Sequence, residues 1–165
     1  MNKEHENLWN TYNTLNEWVR FSDTKATALL AINGVITGFY FSNITELKSI
    51  LTEKPIVCFP LLMVVIFIFL STLFSMFCIV PRLKISRKDS LIFFSDIAKN
   101  YSNAEDYGKA IEKSLTGGNF NKEISPQIWA NSKVATKKYN WVTYSVCFFV
   151  VTVFFSLFFV TLGFV

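Results

Sequence analysis

The sequence predicts an all-α integral membrane protein with three transmembrane helices, the first and third extended into a small cytoplasmic helical bundle. Three observations predict it. Hydrophobic residues make up 52% of the 165-residue chain and gather in three runs, at 26–42, 56–80 and 140–165. No proline falls between Leu8 and Phe41, and Leu8, Leu15, Trp18, Val19, Ala26, Leu29 and Ile32 keep helical spacing across the border from polar to apolar sequence. Lys and Arg are concentrated in one of the segments between runs, as in proteins oriented by cytoplasmic positive charge.

Taken in order, residues 1–25 read as a cytoplasmic stalk helix that continues into the first membrane helix, 26–42. That run has 17 residues, diluted by Thr27, Asn33, Gly34, Thr37 and Gly38. A bilayer core about 30 Å thick asks for roughly 20 helical residues, so this span needs help from its flanks. Residues 43–55 form an outer loop; its Asn43-Ile44-Thr45 fits a glycosylation sequon, a match too short to carry weight. The run 56–80 crosses with length to spare for tilt, and Pro81 closes it. Residues 81–139 are a cytoplasmic insert of 59 residues, too few to bury a core alone, so it must pack on the two stalks. Within it, Ser90–Lys99 and Ala104–Leu115 are short helices, the second ended by Gly117-Gly118. A third starts at Ser125-Pro126, with serine as N-cap and proline at the first helical position, and runs into the last membrane helix, 140–165.

Orientation follows from charge. The insert carries Arg82, Lys84, Arg87, Lys88, Lys99, Lys109, Lys113, Lys122, Lys133, Lys137 and Lys138, whereas 43–55 holds only Lys48 and Lys54. The N-terminus and the insert are therefore expected in the cytoplasm, and the C-terminus outside. No signal peptide is expected in the polar first 25 residues. The net charge of +4 reflects this flanking bias and points to lipid headgroups rather than nucleic acid. Cys58, Cys78 and Cys147 all lie in apolar runs and read as small hydrophobes, with neither disulfide nor metal spacing.

Catalysis finds no support, and no cofactor or metal is expected. His5 is the one histidine, no HExxH or nucleophile elbow occurs, and Asp89, Asp96, Glu105, Asp106, Glu112 and Glu123 read as solvated helix faces. Residues 116–122 (TGGNFNK) lack the Gly-Lys-Ser/Thr ending of a phosphate loop and read as a helix C-cap and turn.

The informative residues lie in the first helix. Arg20 and Asp23 are three apart on one face and could pair, either as a buried switch or as an interfacial pair anchored by Trp18. Asn33 and Thr37, one turn apart in apolar sequence, are candidates for hydrogen bonds between helices or for a pore lining. Gly34 and Gly38 make a GxxxG pair suited to close packing or gating movement.

Trp18, Arg20, Phe21, Asp23, Lys25-Ala26, Leu29 and Asn33-Gly34 resemble the W-x-R-F-x-D-x-K-A…L…N-G signature of Pycsar effector membrane proteins. Pro81-Arg82, Phe93-Phe94-x-Asp96-Ile97-Ala98, Gln127-Ile128, Asn131 to Ala135 and Lys137-Lys138-Tyr139 are similar to the same family, so the resemblance covers nearly the whole chain. It implies a multi-pass protein of the bacterial inner membrane, acting in antiphage defence. In such systems a partner cyclase makes cyclic CMP or cyclic UMP on infection, and the effector, expected as a homo-oligomer, impairs the membrane. No β-rich segment fits a standard cyclic-nucleotide-binding domain, so a directly sensed nucleotide would need a site built from helices. Arg20, Lys25, Arg82, Lys133 and Lys137 could hold its phosphate and Trp18 and Trp129 its base, with Asp23 in the same cluster. The competing readings are a ligand-free membrane scaffold and a small oligomeric channel; Asn33, Thr37 and scattered Ser and Thr offer too little polar lining for a pore within one chain.

Overall fold

A computed structural model of the chain describes residues 3–80, 90–117 and 120–164. Six α-helices occur among them: α1 Lys3–Ser42, α2 Ile44–Glu53, α3 Cys58–Ile79, α4 Phe94–Asn100, α5 Ala104–Thr116 and α6 Phe120–Phe164, with a 3₁₀ turn at Pro55–Val57. No strand occurs among the described residues, so the all-α class holds. Pro81 and Arg82, like Gly118 and Asn119 of the 116–122 turn, lie outside the described residues. The chain divides into two compact units, one of Met1–Arg20 with Pro81–Thr136, the other of Phe21–Val80 with Lys137–Val165.

The second unit holds the three apolar runs. Pro55–Ile79 and Phe120–Gly163 are each long and apolar enough to cross a bilayer. The α1 helix meets that test only together with α2, across a 67° bend. Among the described residues the candidate spans thus number two, or three where the bent pair counts as one. The loop expected at 43–55 is instead largely α2, because no glycine or proline interrupts 44–53 and Ile44, Leu47 and Leu51 repeat on one face. Those three line an apolar crevice of about 280 Å³ with Thr37, Tyr40 and Leu61. At the end of the unit Lys54 Nζ donates to the Gly163 carbonyl at 3.3 Å, a cation on a helix C-terminus.

The inward faces follow helical spacing. They comprise Ser22, Ala26, Leu29 and Asn33 on α1; Pro60, Val64, Ile68, Ser71, Ser75 and Cys78 on α3; and Val142, Ser145, Thr152 and Phe159 on α6. Phenylalanines seven residues apart lock α3 to α6 as antiparallel neighbours: Phe74 lies 5.4 Å from Trp141 and 5.3 Å from Phe148, and Phe67 lies 6.0 Å from both Phe148 and Phe155.

In the first unit, α6 starts at Phe120, earlier than the expected start at Ser125-Pro126. Pro126 sits inside the helix, and Ser125 Oγ donates to the Asn121 carbonyl at 2.9 Å rather than capping. Packing holds the leading turn despite the missing proline donor: Ile124 is fully buried and Phe120 stacks on His5 at 5.6 Å. One turn on, Asn131 Nδ2 donates to Asn16 Oδ1 at 2.8 Å, joining α6 to α1 within this unit. The α4 helix starts at Phe94 and not at Ser90, because Ser90 Oγ accepts the Ile92 and Phe93 amides at 3.2 Å and turns the chain first. Asn103 caps α5 by accepting the Asp106 amide at 2.8 Å, and the Gly117 amide closes it on the Lys113 carbonyl at 3.0 Å.

Candidate functional site

An ion pair stands where α1 turns apolar. Lys138 Nζ donates to Asp23 Oδ1; the lysine side chain is 6% exposed and the aspartate 36%. Cys78 Sγ approaches Asp23 Oδ1 at 3.9 Å and the Ser22 carbonyl at 3.8 Å, so α1, α3 and α6 all meet there. The Asp23 carboxylate, expected to share a face with Arg20, is held by Lys138 of α6. A buried ammonium needs such a partner, because desolvation penalises an isolated charge. Lys25 takes a different place, over the Phe21 ring at 4.4 Å and the Tyr139 ring at 5.8 Å. Lys137 is exposed.

Above the pair comes an apolar layer of Ala26, Cys78 and Val142, and then a buried polar cluster. Ser75 and Ser145 share a hydrogen bond of 2.6 Å between hydroxyls. Ser71 Oγ donates to the Ser145 carbonyl at 3.0 Å, and Ser145 Oγ donates to the Ser71 carbonyl at 2.7 Å. Asn33 Nδ2 donates to Ser71 Oγ at 2.9 Å and reaches Thr72 Oγ1 at 3.3 Å. Thr37 turns back to the Asn33 carbonyl at 2.7 Å. Asn33 thus bridges α1 to α3, as its place in an apolar run led one to expect, while the serines that answer it were not singled out in the sequence. Their signal was present: Ser71, Ser75 and Cys78 fall at helical spacing on one face of a run free of charge. Gly34 and Gly38 do not belong to this packing. A Cβ added at either would meet nothing within 4 Å.

The Pycsar effector protein domain family matches residues 7–165. This chain belongs to that family. A relative of the same kind, the Pycsar effector protein PtPycTM of Propioniciclava tarda, is 24% identical over 150 residues, covering 86% of this chain and 71% of its own. No solved structure matches. As a Pycsar effector the protein is an antiphage membrane effector of a cyclic-nucleotide signalling system.

The residues proposed for a ligand divide between the two units of this Pycsar effector. Trp18, Arg20, Trp129 and Lys133 fall in the first, Asp23, Lys25 and Lys137 in the second, and Arg82 lies outside the described residues. Trp18 and Trp129 are 56% and 62% exposed, and Lys133 lies 5.7 Å from the Trp129 ring. Beside Trp18 a shallow groove with a mostly apolar surface follows α1 past Asn7, Asn10, Thr11, Thr14 and Leu15. The first unit also contains a buried polar cluster the sequence reading missed. Asp96, read as solvated, is 4% exposed and accepts the Ser90 amide at 3.3 Å, while Gln127 Nε2 donates to Ser90 Oγ at 2.9 Å. Asp96 and Gln127 both sit within stretches that carry the family resemblance, which was the available signal, whereas Ser90 lies outside them. No grouping of three or more metal-ligating side chains occurs among the described residues.

Proposed function

We propose that this effector is triggered by a cyclic pyrimidine mononucleotide, cyclic CMP or cyclic UMP, and responds by impairing the integrity of the bacterial inner membrane. The observation that carries the reading is the Pycsar effector match over residues 7–165, which takes in both compact units. The protein acts by binding and conformational change, with no catalytic step of its own. Exposed Trp18 and Trp129 supply aromatic faces for a base, the α1 groove supplies amides and hydroxyls for its edge, and Arg20 and Lys133 supply cations for a cyclic phosphate. The N-terminus and 81–139 face the cytoplasm, where the cyclase product accumulates. Several copies assemble through the open Gly34 and Gly38 face of α1, where backbones can approach closely.

The test has two arms. Purified protein in nanodiscs is titrated with cyclic CMP, cyclic UMP and cyclic AMP, reading thermal shift; a pyrimidine nucleotide is expected to raise the melting temperature and cyclic AMP to leave it unchanged. Cells carrying the protein with an inducible pyrimidine cyclase are followed with a voltage-sensitive dye. Equal indifference to all three nucleotides, with no depolarisation on induction, would leave a ligand-free scaffold as the better account.

A further inference from the structure

Along α6, Lys138, Ser145, Thr152 and Ser156 follow one another at intervals of seven, seven and four, which places them on one helix face. From the first to the last is about 27 Å at 1.5 Å per residue, close to the roughly 30 Å of a bilayer core. Ser71 and Ser75 of α3 and Asn33 of α1 join this line through the hydrogen bonds already given. Paired hydroxyls alone are ordinary glue between membrane helices. Two atoms on the line are not glue. Asn33 Oδ1, on a side chain 1% exposed, and Ser156 Oγ are both enclosed and without a hydrogen-bond partner. An enclosed acceptor in hydrocarbon is a standing demand for a donor, and water is the donor small enough to reach it.

We propose that this line, too sparse to line an open pore within one chain, is instead a route for a single file of water, along which protons cross the membrane when the effector is triggered. The inference rests on the proposed function and says where in the chain the impairment runs. A proton enters at one end as another leaves at the other, each O–H bond formed matched by one broken along the hydrogen-bonded file, so no other reactant is needed. Hydroxyl and amide linings bond such a file, and packed helices with axes about 8–10 Å apart leave no room for anything wider. In this structure buried apolar side chains interrupt the route, Val64 and Ile68 of α3 among them. Ala26, Cys78 and Val142 separate the Asp23–Lys138 pair from the serine cluster, and Tyr40 meets Phe159 edge-on at 6.3 Å further along. Opening means wetting those layers, and Cys78 lies in one of them.

Cys78 therefore reports the route. Cys58 and Cys147 are exposed on the outside of the unit, and replacing both by alanine leaves Cys78 as the chain's one thiol. Maleimides attack the thiolate, which forms in water and not in an apolar layer. Cells carrying this Cys58→Ala/Cys147→Ala protein and an inducible pyrimidine cyclase are treated with N-ethylmaleimide, while membrane potential and cytoplasmic pH are recorded. Induction is expected to speed Cys78 alkylation at least tenfold and to bring cytoplasmic pH toward that of the medium. Ser145→Leu, which fills the line, should cut the proton flux at least tenfold at equal membrane abundance, whereas Val146→Leu on the exposed side should not change it. Depolarisation with an unchanged Cys78 alkylation rate overturns the route and leaves the effector reading standing; no depolarisation at all removes both. Should Ser145→Leu fail to accumulate in the membrane, the alkylation rate of the unsubstituted line decides.

Discussion

Lys138 and Asp23 make an ion pair whose lysine is buried, and they show what a sequence can and cannot disclose at the scale of a side chain. Asp23→Asn takes the carboxylate from a lysine that is 6% exposed. Breaking a fully buried pair costs about 3–5 kcal/mol, but this aspartate is about one-third exposed, so screening lowers the expected loss to about 1–3 kcal/mol. The measurement is thermal unfolding in detergent, and Asp23→Asn/Lys138→Met should recover most of the loss, because the double variant leaves no unpaired buried charge. A double variant no more stable than Asp23→Asn would mean the pair contributes nothing that depends on its partner. The sequence singled out Asp23 and the charged border, since ionisable groups there need a reason. It named Lys137 where the structure buries Lys138. The two are adjacent, and only the phase of the inward stripe Ala135, Val142, Ser145 tells them apart. Asp96 was hidden for a different reason: its burial depends on Ser90 and Gln127, which approach it only in the folded unit.

Among elements, those set by long-range hydropathy were legible and those set by packing were not. The apolar runs at 56–80 and 140–165 became α3 and the apolar part of α6, because chains without charge have no better way to satisfy their backbone in lipid. The α2 helix and the early start of α6 were missed, since one depends on a crevice to fill and the other on the buried Ile124 and the Phe120–His5 stack. Short elements lean on their caps. Asn103→Ala should destabilise the first unit by about 1 kcal/mol, the usual worth of an N-cap, and the change should appear as faster hydrogen exchange confined to 104–116. Uniformly faster exchange across the chain would mean that α5 has no local stability of its own. The glycine pair makes the opposite test. Gly34→Leu should leave the melting temperature of the monomer unchanged, because nothing lies within 4 Å of a Cβ there, yet reduce cross-linked oligomer several-fold. A large drop in monomer stability would place that face inside the chain's own packing.

For the molecule as a whole, the charge distribution predicts an orientation in the membrane. Of the 16 Lys and Arg residues, 11 lie between 81 and 139, and this segment is expected to stay inside because translocating many cations in one short segment is unfavourable. The α2 helix and its flanks carry only Lys48 and Lys54, so they are the part free to cross. The consequence is checked with single cysteines in a background where Cys58, Cys78 and Cys147 are replaced by alanine. Lys109→Cys, exposed on α5, and Glu46→Cys, exposed on α2, are each presented to a membrane-impermeant maleimide outside intact spheroplasts, and again after lysis. Glu46→Cys is expected to label in both conditions and Lys109→Cys only after lysis. Labelling of Lys109→Cys in intact cells would invert the arrangement, and with it the access of a cytoplasmic nucleotide to Trp18, Arg20, Trp129 and Lys133. The proposed trigger therefore stands or falls with this orientation: a signal made inside the cell reaches those residues only where the positive charge has kept them.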